Sequence, residues 1–161
     1  LFGVSITVYN TVLSLALAAG CFWSIEDTFR KMPGVKDAIS GYTGGETVNP
    51  TYHQVCTGST GHAEAVRVVF DDTKIDFNTL LNAFFEMHDP TQVNRQGPDV
   101  GTQYRSGVFY RDEDQRNAAE AAKEAVAAAR GAVATEVIEA CEFYPAEDYH
   151  QRYFEKRGFS H

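Results

Sequence analysis

The chain has 161 residues, of which 43% are hydrophobic and 22% are charged, and its formal net charge is −8. This length and composition are typical of one globular domain with its own core, so we expect a single domain over residues 1–161. An acidic chain argues against nucleic acid and anionic membranes as partners.

The first half of the chain predicts three strands and a helix. An uninterrupted apolar run indicates a buried strand over 12–19, and residues 23–31 are compatible with a helix that stops before Pro33 and Gly34. Further strands are predicted over 35–42 and 63–70. Between them, residues 46–61 are rich in threonine and glycine and predict an irregular loop.

The second half predicts three helices and two strands. Asp76 can cap a helix whose apolar residues recur at helical spacing as far as Met87. A polar loop over 91–101 follows, then a strand over 104–110, an alanine-rich helix over 112–130, a strand over 133–140 and a helix over 146–156. This order predicts an α+β fold: a two-layer sandwich of ferredoxin-like type, with a mixed sheet, helices on one face and long functional loops.

Cys21 lies between the first strand and the first helix. A thiol at a helix N-terminus meets the positive end of the helix dipole and free N–H groups, and both favour the thiolate. Phe22 and Trp23 follow directly and either wall an apolar pocket beside the sulfur or pack in the core. The pattern indicates a sulfur nucleophile acting on a small apolar group; a buried structural cysteine is the alternative.

Glu64, Tyr52 and Tyr104 are further candidates for chemistry. Glu64 starts a strand and shares a face with Val66 and Val68, where apolar surroundings would raise its pKa and suit a proton donor. A solvated glutamate at a strand edge is the alternative. The phenols of Tyr52 and Tyr104 could donate hydrogen bonds to a substrate oxygen, or simply pack.

The cysteines and histidines favour neither a disulfide framework nor a metal site. Three widely spaced cysteines suit a reducing compartment or redox catalysis, and no Cys/His spacing indicates zinc. We therefore expect a cytoplasmic protein. Residues 1–20 carry no charge and end in a sequence loosely like a lipoprotein cleavage box, so export or lipid anchoring is the alternative.

Three other functions fit parts of this pattern. A cysteine hydrolase would pair Cys21 with His62 or His88, and its geometry is not fixed by spacing. A thiol peroxidase would usually place an arginine near the thiolate, and none is adjacent to Cys21 in sequence. A non-catalytic module would use the aromatic residues to bind methionine.

An ordered set of motifs distinguishes among these functions. The set consists of residues 20–23 (GCFW), 41–45 (GYTGG), 49–52 (NPTY), 61–64 (GHAE), 88–90 (HDP), 95–97 (RQG), Asp99, 101–106 (GTQYRS) and 146–151 (AEDYHQ). The chain resembles the A-type peptide methionine sulfoxide reductases from residue 18 to about residue 160. The resemblance implies a catalytic domain, with residues 1–11 as a possible N-terminal extension, and we expect the protein to be a monomer.

The resemblance also implies roles for the matching residues. Cys21 would attack the sulfur of methionine-S-sulfoxide, free or in a peptide, and become a sulfenic acid. Glu64 would protonate the sulfoxide oxygen, to which Tyr52 and Tyr104 would donate hydrogen bonds. Residues 22 and 23 would hold the S-methyl group, and Asp99 would support the site through hydrogen bonding.

The reducing half of the cycle departs from the family pattern. Many members end in a segment whose cysteine resolves the sulfenic acid, and Ser160 stands there in this chain. The alternatives are direct reduction by an external thiol (thioredoxin, glutaredoxin, glutathione or dithiothreitol), resolution by Cys56 and resolution by Cys141. No bound cofactor is implied. Ser24 replaces the glycine that usually follows the tryptophan.

Overall fold

The structure is a computed structural model, described over residues 12–158. Its strands are β1 (Val12–Ala19), β2 (Val35–Thr43), β3 (Ala63–Asp71), β4 (Arg95–Gln96), β5 (Asp99–Val100), β6 (Ser106–Tyr110), β7 (Glu136–Glu139) and β8 (Phe143–Pro145). Its α-helices are α1 (Phe22–Arg30), α2 (Tyr52–Cys56), α3 (Phe77–Glu86), α4 (Glu113–Arg130) and α5 (Tyr153–Lys156). Single 3₁₀ turns cover Thr102–Tyr104 and Asp148–His150. None of these helices is both long and apolar enough to cross a bilayer.

Six strands form one mixed sheet in the order β7-β6-β1-β3-β2-β8, and β4 pairs with β5 separately. All neighbours in the large sheet are antiparallel except β6 and β7. The period of two along each strand separates two faces. The front face carries the main core, in which the sheet packs against helices, while small alanines dominate the rear face. The α+β fold with a mixed sheet is thereby confirmed.

The sheet is strongly curled. Strands β7 and β8 occupy opposite edges, and in a flat sheet five spacings would hold them about 24 Å apart. The chain from Glu139 to Phe143 reaches at most about 14 Å across four residues. The edges therefore approach each other, and residues 140–142 bridge the rear face. Gly41 on β2 lets the Phe143 ring of the neighbouring strand β8 pack against its backbone, since a Cβ there would lie 2.4 Å from that ring.

Most predicted elements are confirmed, with local differences. The loop over 46–61 contains α2, whose capping box joins Thr51 and Gln54. The strand predicted over 104–110 starts at Ser106, and the strand over 133–140 is reduced to β7. The helix predicted over 146–156 is broken by Arg152, whose φ of 51° is left-handed. Strand β8 was missed because three residues are too few to show a period.

Two expectations are not tested by this fold. The assignment of the whole chain to one catalytic domain stays a prediction. Residues 1–11, expected to be an extension, and Ser160 lie outside the described residues.

Candidate active site

Cys21 sits where the central strand β1 turns into α1. It is the N-cap residue of that helix and is half-buried. Gly20 precedes it with a φ of +100°, and a Cβ there would lie 2.9 Å from the Gln96 side chain. Glycine thus permits both the turn and the close approach of the loop over 91–101, which contains Gln96. The sequence prediction that Cys21 opens a helix is confirmed.

The protonation state of Cys21 differs from the expectation. Burial raises the pKa of the thiol to about 12, although a hydrogen bond from the Trp23 backbone lowers it. The carboxyl groups of Glu64 and Asp99 raise the pKa further. The helix start does favour the thiolate through the Trp23 N–H, as expected, but loss of water outweighs this contribution and the thiol keeps its proton at neutral pH.

Glu64 lies on β3, an interior strand of the sheet, and is 1% exposed. Its Oε1 accepts a hydrogen bond of 3.1 Å from the backbone N–H of Phe22, the first residue of α1. Burial raises its pKa to about 8 despite that hydrogen bond, and Asp99 raises it further. The solvated-edge interpretation is therefore wrong, and the carboxyl group holds its proton at neutral pH beside the residue that follows Cys21.

Tyr52 lies within the loop over 46–61, and Tyr104 lies just after the loop over 91–101; both approach the site. Tyr52 is the first residue of α2, and Tyr104 ends a 3₁₀ turn. Burial and a hydrogen bond with the Cys56 side chain raise the pKa of Tyr52. Burial and the Glu64 carboxyl group raise the pKa of Tyr104 to about 12. Both phenols therefore keep their protons at neutral pH and are available as hydrogen-bond donors.

Aromatic rings form one wall of the site. Phe22 is buried, whereas Trp23 is half-buried and stacks on Tyr153 at a centroid distance of 3.7 Å. The His150 ring lies 5.2 Å from Phe22 and 4.3 Å from Tyr52. Such rings form an apolar surface of fixed shape, suited to a small apolar group.

Sequence reasoning gave no role to His150 and Glu147, although both lie in the matching segment 146–151. Nδ1 of His150 accepts a 2.9 Å hydrogen bond from the Trp23 indole, so the ring proton is on Nε2. Glu147 accepts 2.8 Å hydrogen bonds from the Tyr42 hydroxyl and the Tyr52 backbone. The two residues thus position Trp23 and Tyr52.

Asp99 lies in β5, opposite Gln96. The Gln96 amide is hydrogen-bonded to both backbone groups of Asp89, which fastens this loop beside Gly20. The charge of Asp99 acts on both Cys21 and Glu64. Asp99 therefore belongs to the same cluster, while its support through hydrogen bonding stays a prediction.

His62 and His88, the two histidines considered as a base for Cys21, are both hydrogen-bonded to other groups. His62 accepts a hydrogen bond from Gly45 N–H and donates one to the Thr47 carbonyl, 3.0 and 2.7 Å long. His88 donates to a helix carbonyl and accepts from Ser106, and burial lowers its pKa to about 4. Neither ring has a free nitrogen to act as a base for Cys21, which argues against the hydrolase.

The other two cysteines lie on different faces of the sheet. Cys56 ends α2, is exposed, and is hydrogen-bonded to Tyr52 at the rim of the site. Cys141 is 3.6 Å from Thr43, whose side chain lies on the rear face, opposite Glu64. This placement favours Cys56 over Cys141 as a partner for Cys21. Within residues 12–158, no group of His, Cys, Asp and Glu could hold a metal ion.

A mixed sheet that places a half-buried thiol at a helix start, beside a protonated carboxyl group, suits an enzyme that uses a thiol for redox chemistry. Residues 14–160 match the family described as peptide methionine sulfoxide reductase. The chain belongs to this family, whose members are oxidoreductases. The resemblance inferred from the motifs is thus confirmed.

Individual relatives agree with this assignment. Peptide methionine sulfoxide reductase MsrA of Methanosarcina acetivorans is 55% identical over 145 residues, which are 88% of this chain and 77% of that protein. Reduced Mxr1 of Saccharomyces cerevisiae is similar to this fold at a TM-score of 0.88, with 35% identity, covering 94% of this chain and 88% of its own. Mxr1 in complex with Trx2 is similar at a TM-score of 0.65 and 26% identity, covering 89% of this chain and 85% of its own.

Proposed function

We propose that this protein reduces methionine-S-sulfoxide, free or in peptides and proteins, to methionine at the expense of an external thiol. The observation that carries the proposal is the buried Glu64 carboxyl group, held by the first N–H of α1 and protonated at neutral pH. A sulfoxide oxygen is a poor leaving group until it is protonated. A neutral carboxylic acid next to a cysteine supplies that proton where it is needed.

In the proposed step, the Cys21 sulfur attacks the sulfoxide sulfur while Glu64 gives its proton to the sulfoxide oxygen. The S–O bond of the substrate and the transient S–S bond then break as the hydroxyl group is transferred to the Cys21 sulfur, so that methionine leaves as the thioether and Cys21 becomes a sulfenic acid. The thiol proton of Cys21 passes to the Glu64 carboxylate and restores the acid. Cys21 is oxidised, the substrate sulfur is reduced, and no proton is gained or lost overall.

Tyr52 and Tyr104 would stabilise the charge that develops on the oxygen. Both phenols are protonated, and the electrostatic contact of Tyr104 with Glu64 and Cys21 supports a location beside the reacting atoms. Phe22 and Trp23 would hold the S-methyl group. Fixing the methyl group, the oxygen and the attacking sulfur at three points would select one sulfoxide epimer.

The sulfenic acid must then be reduced by a thiol. A thioredoxin-class protein is the proposed donor, supported by the related yeast structure that contains Trx2. Cys56 remains the internal alternative, since it is exposed and lies at the same rim. Among the described residues, the groups that shift the pKa of Cys21 include no arginine, which argues against a thiol peroxidase.

The test is turnover with dithiothreitol on separated S and R epimers of methionine sulfoxide, and on hydrogen peroxide. We expect reduction of the S epimer alone, lost in Cys21→Ser and kept in the rear-face control Cys141→Ser. Equal turnover of both epimers would contradict the three-point arrangement. Faster turnover of peroxide would favour the peroxidase, and binding without loss of sulfoxide would favour a binding module.

A further inference from the structure

The curl of the sheet forms a cavity on the rear face, remote from the aromatic wall. We call it the rear cavity, and it has a volume of about 240 Å³. Its lining comprises Ser14, Leu15, Ala16, Thr43, Arg67, Phe109, Arg111, Ala140, Cys141, Glu142 and Phe143. The small side chains of β1 form its floor, and the bridging segment over 140–142 passes across it.

The rear cavity carries two guanidinium groups that have no ion-pair partner within residues 12–158. Among residues 12–158, neither Arg67 nor Arg111 has a carboxylate oxygen within 4.0 Å. Arg67 instead lies over the Phe143 ring at 4.9 Å, which holds its side chain against the cavity wall. Two unpaired cations in one concave site are unexpected in a chain of net charge −8.

The Thr43 side chain holds the bridging segment over 140–142 at the rim of the rear cavity. The Thr43 hydroxyl donates a 2.8 Å hydrogen bond to the Glu142 carbonyl and lies 3.6 Å from the Cys141 sulfur. The Glu142 side chain is exposed, and none of the ion pairs within residues 12–158 joins it to either arginine. The guanidinium groups therefore remain available to a ligand.

We propose that the rear cavity binds a small organic dicarboxylate. Planar guanidinium groups match carboxylates in shape and charge, and each arginine would take one carboxylate of the ligand. The volume equals about eight water molecules, which is room for a chain of four or five carbons. The proposal does not depend on the reductase chemistry.

Cys141 serves as a built-in reporter, and Cys56 is its matched control in the same chain. Both thiols are exposed, but Cys56 lies near the carboxyl groups of Glu64 and Glu147. Alkylation by anionic iodoacetate and by neutral iodoacetamide is measured at each cysteine by peptide mass spectrometry. The ratio of the two rates cancels the thiolate fraction of each cysteine and reports the local charge.

We expect the iodoacetate-to-iodoacetamide ratio to be at least about threefold higher at Cys141 than at Cys56. Arg111→Gln, an exposed substitution, should lower the ratio at Cys141 only. Glutarate should protect Cys141 from iodoacetamide, whereas the neutral isostere glutaramide should not. Equal ratios at the two cysteines, equal protection by both compounds, or no protection by glutarate would each overturn the proposal.

Discussion

Replacing Glu64 by Gln should lower the rate of reduction and should also remove a pH-dependent part of the stability. Glutamine keeps the shape of the buried side chain and an acceptor for the Phe22 N–H, but it cannot donate a proton. We therefore expect the rate of methionine formation at neutral pH to fall by about 10²- to 10⁴-fold with the fold retained. The wild-type rate should also decline as pH rises through about 8, where Glu64 loses its proton.

The stability effect follows from the raised pKa. Between the ordinary value of 4.5 and the folded value of about 8, the folded state binds more protons than the unfolded state. Wild-type stability should therefore fall as pH rises, by about 4 kcal/mol between pH 4.5 and pH 9 from this group alone. Glu64→Gln lacks this loss, so its stability relative to wild type should rise by that amount.

Urea unfolding of wild type and Glu64→Gln at several pH values measures this difference. The exposed Glu86, changed to Gln at the end of α3, is the matched control and should follow wild type. A difference between wild type and Glu64→Gln that does not change with pH would refute the reasoning. Glu64 would then not be a buried neutral acid.

Three further predictions concern the surroundings of Cys21. Tyr52→Phe and Tyr104→Phe should each reduce kcat/KM by about fivefold, which is the contribution of one hydrogen bond. A double variant no worse than either single variant would show that the two phenols do not share the sulfoxide oxygen. His150→Ala should lower the free energy of unfolding, measured with urea, by about 2–4 kcal/mol, because the Trp23 indole loses its acceptor and a cavity forms. His150→Asn offers an acceptor and should recover part of the lost stability. Cys56→Ser should leave steady-state turnover with thioredoxin unchanged; loss of that turnover with dithiothreitol turnover intact would make Cys56 the resolving residue.

Much of the fold could be predicted from the sequence where a period was long enough to read. The bounds of β1 and the capping of α3 by Asp76 were predicted correctly because each depends on adjacent residues. Strand β8 and the break at Arg152 depend on tertiary pairing and on a single left-handed residue. The curl of the sheet follows only from the strand order, which no local pattern contains.

In the site too, features that depend on adjacent residues were predictable, and features that depend on distant residues were not. The helix start at Cys21 was visible in the sequence, but the pKa of its thiol depends on burial by distant loops. From the neighbouring residues alone, the role of Glu64 was undecided, because interior strands and edge strands show the same alternation of apolar and polar residues. His150 contacts Trp23 from 127 positions away, so only the structure could reveal it.

A single-turnover reaction without reductant tests the central claim most directly. The protein is mixed with the S epimer of methionine sulfoxide, methionine is counted per enzyme, and the cysteines are mapped by mass spectrometry. The account predicts one methionine per enzyme with oxidation at Cys21, as a sulfenic acid or as a disulfide derived from it. No methionine, with Cys21 unmodified, would contradict it.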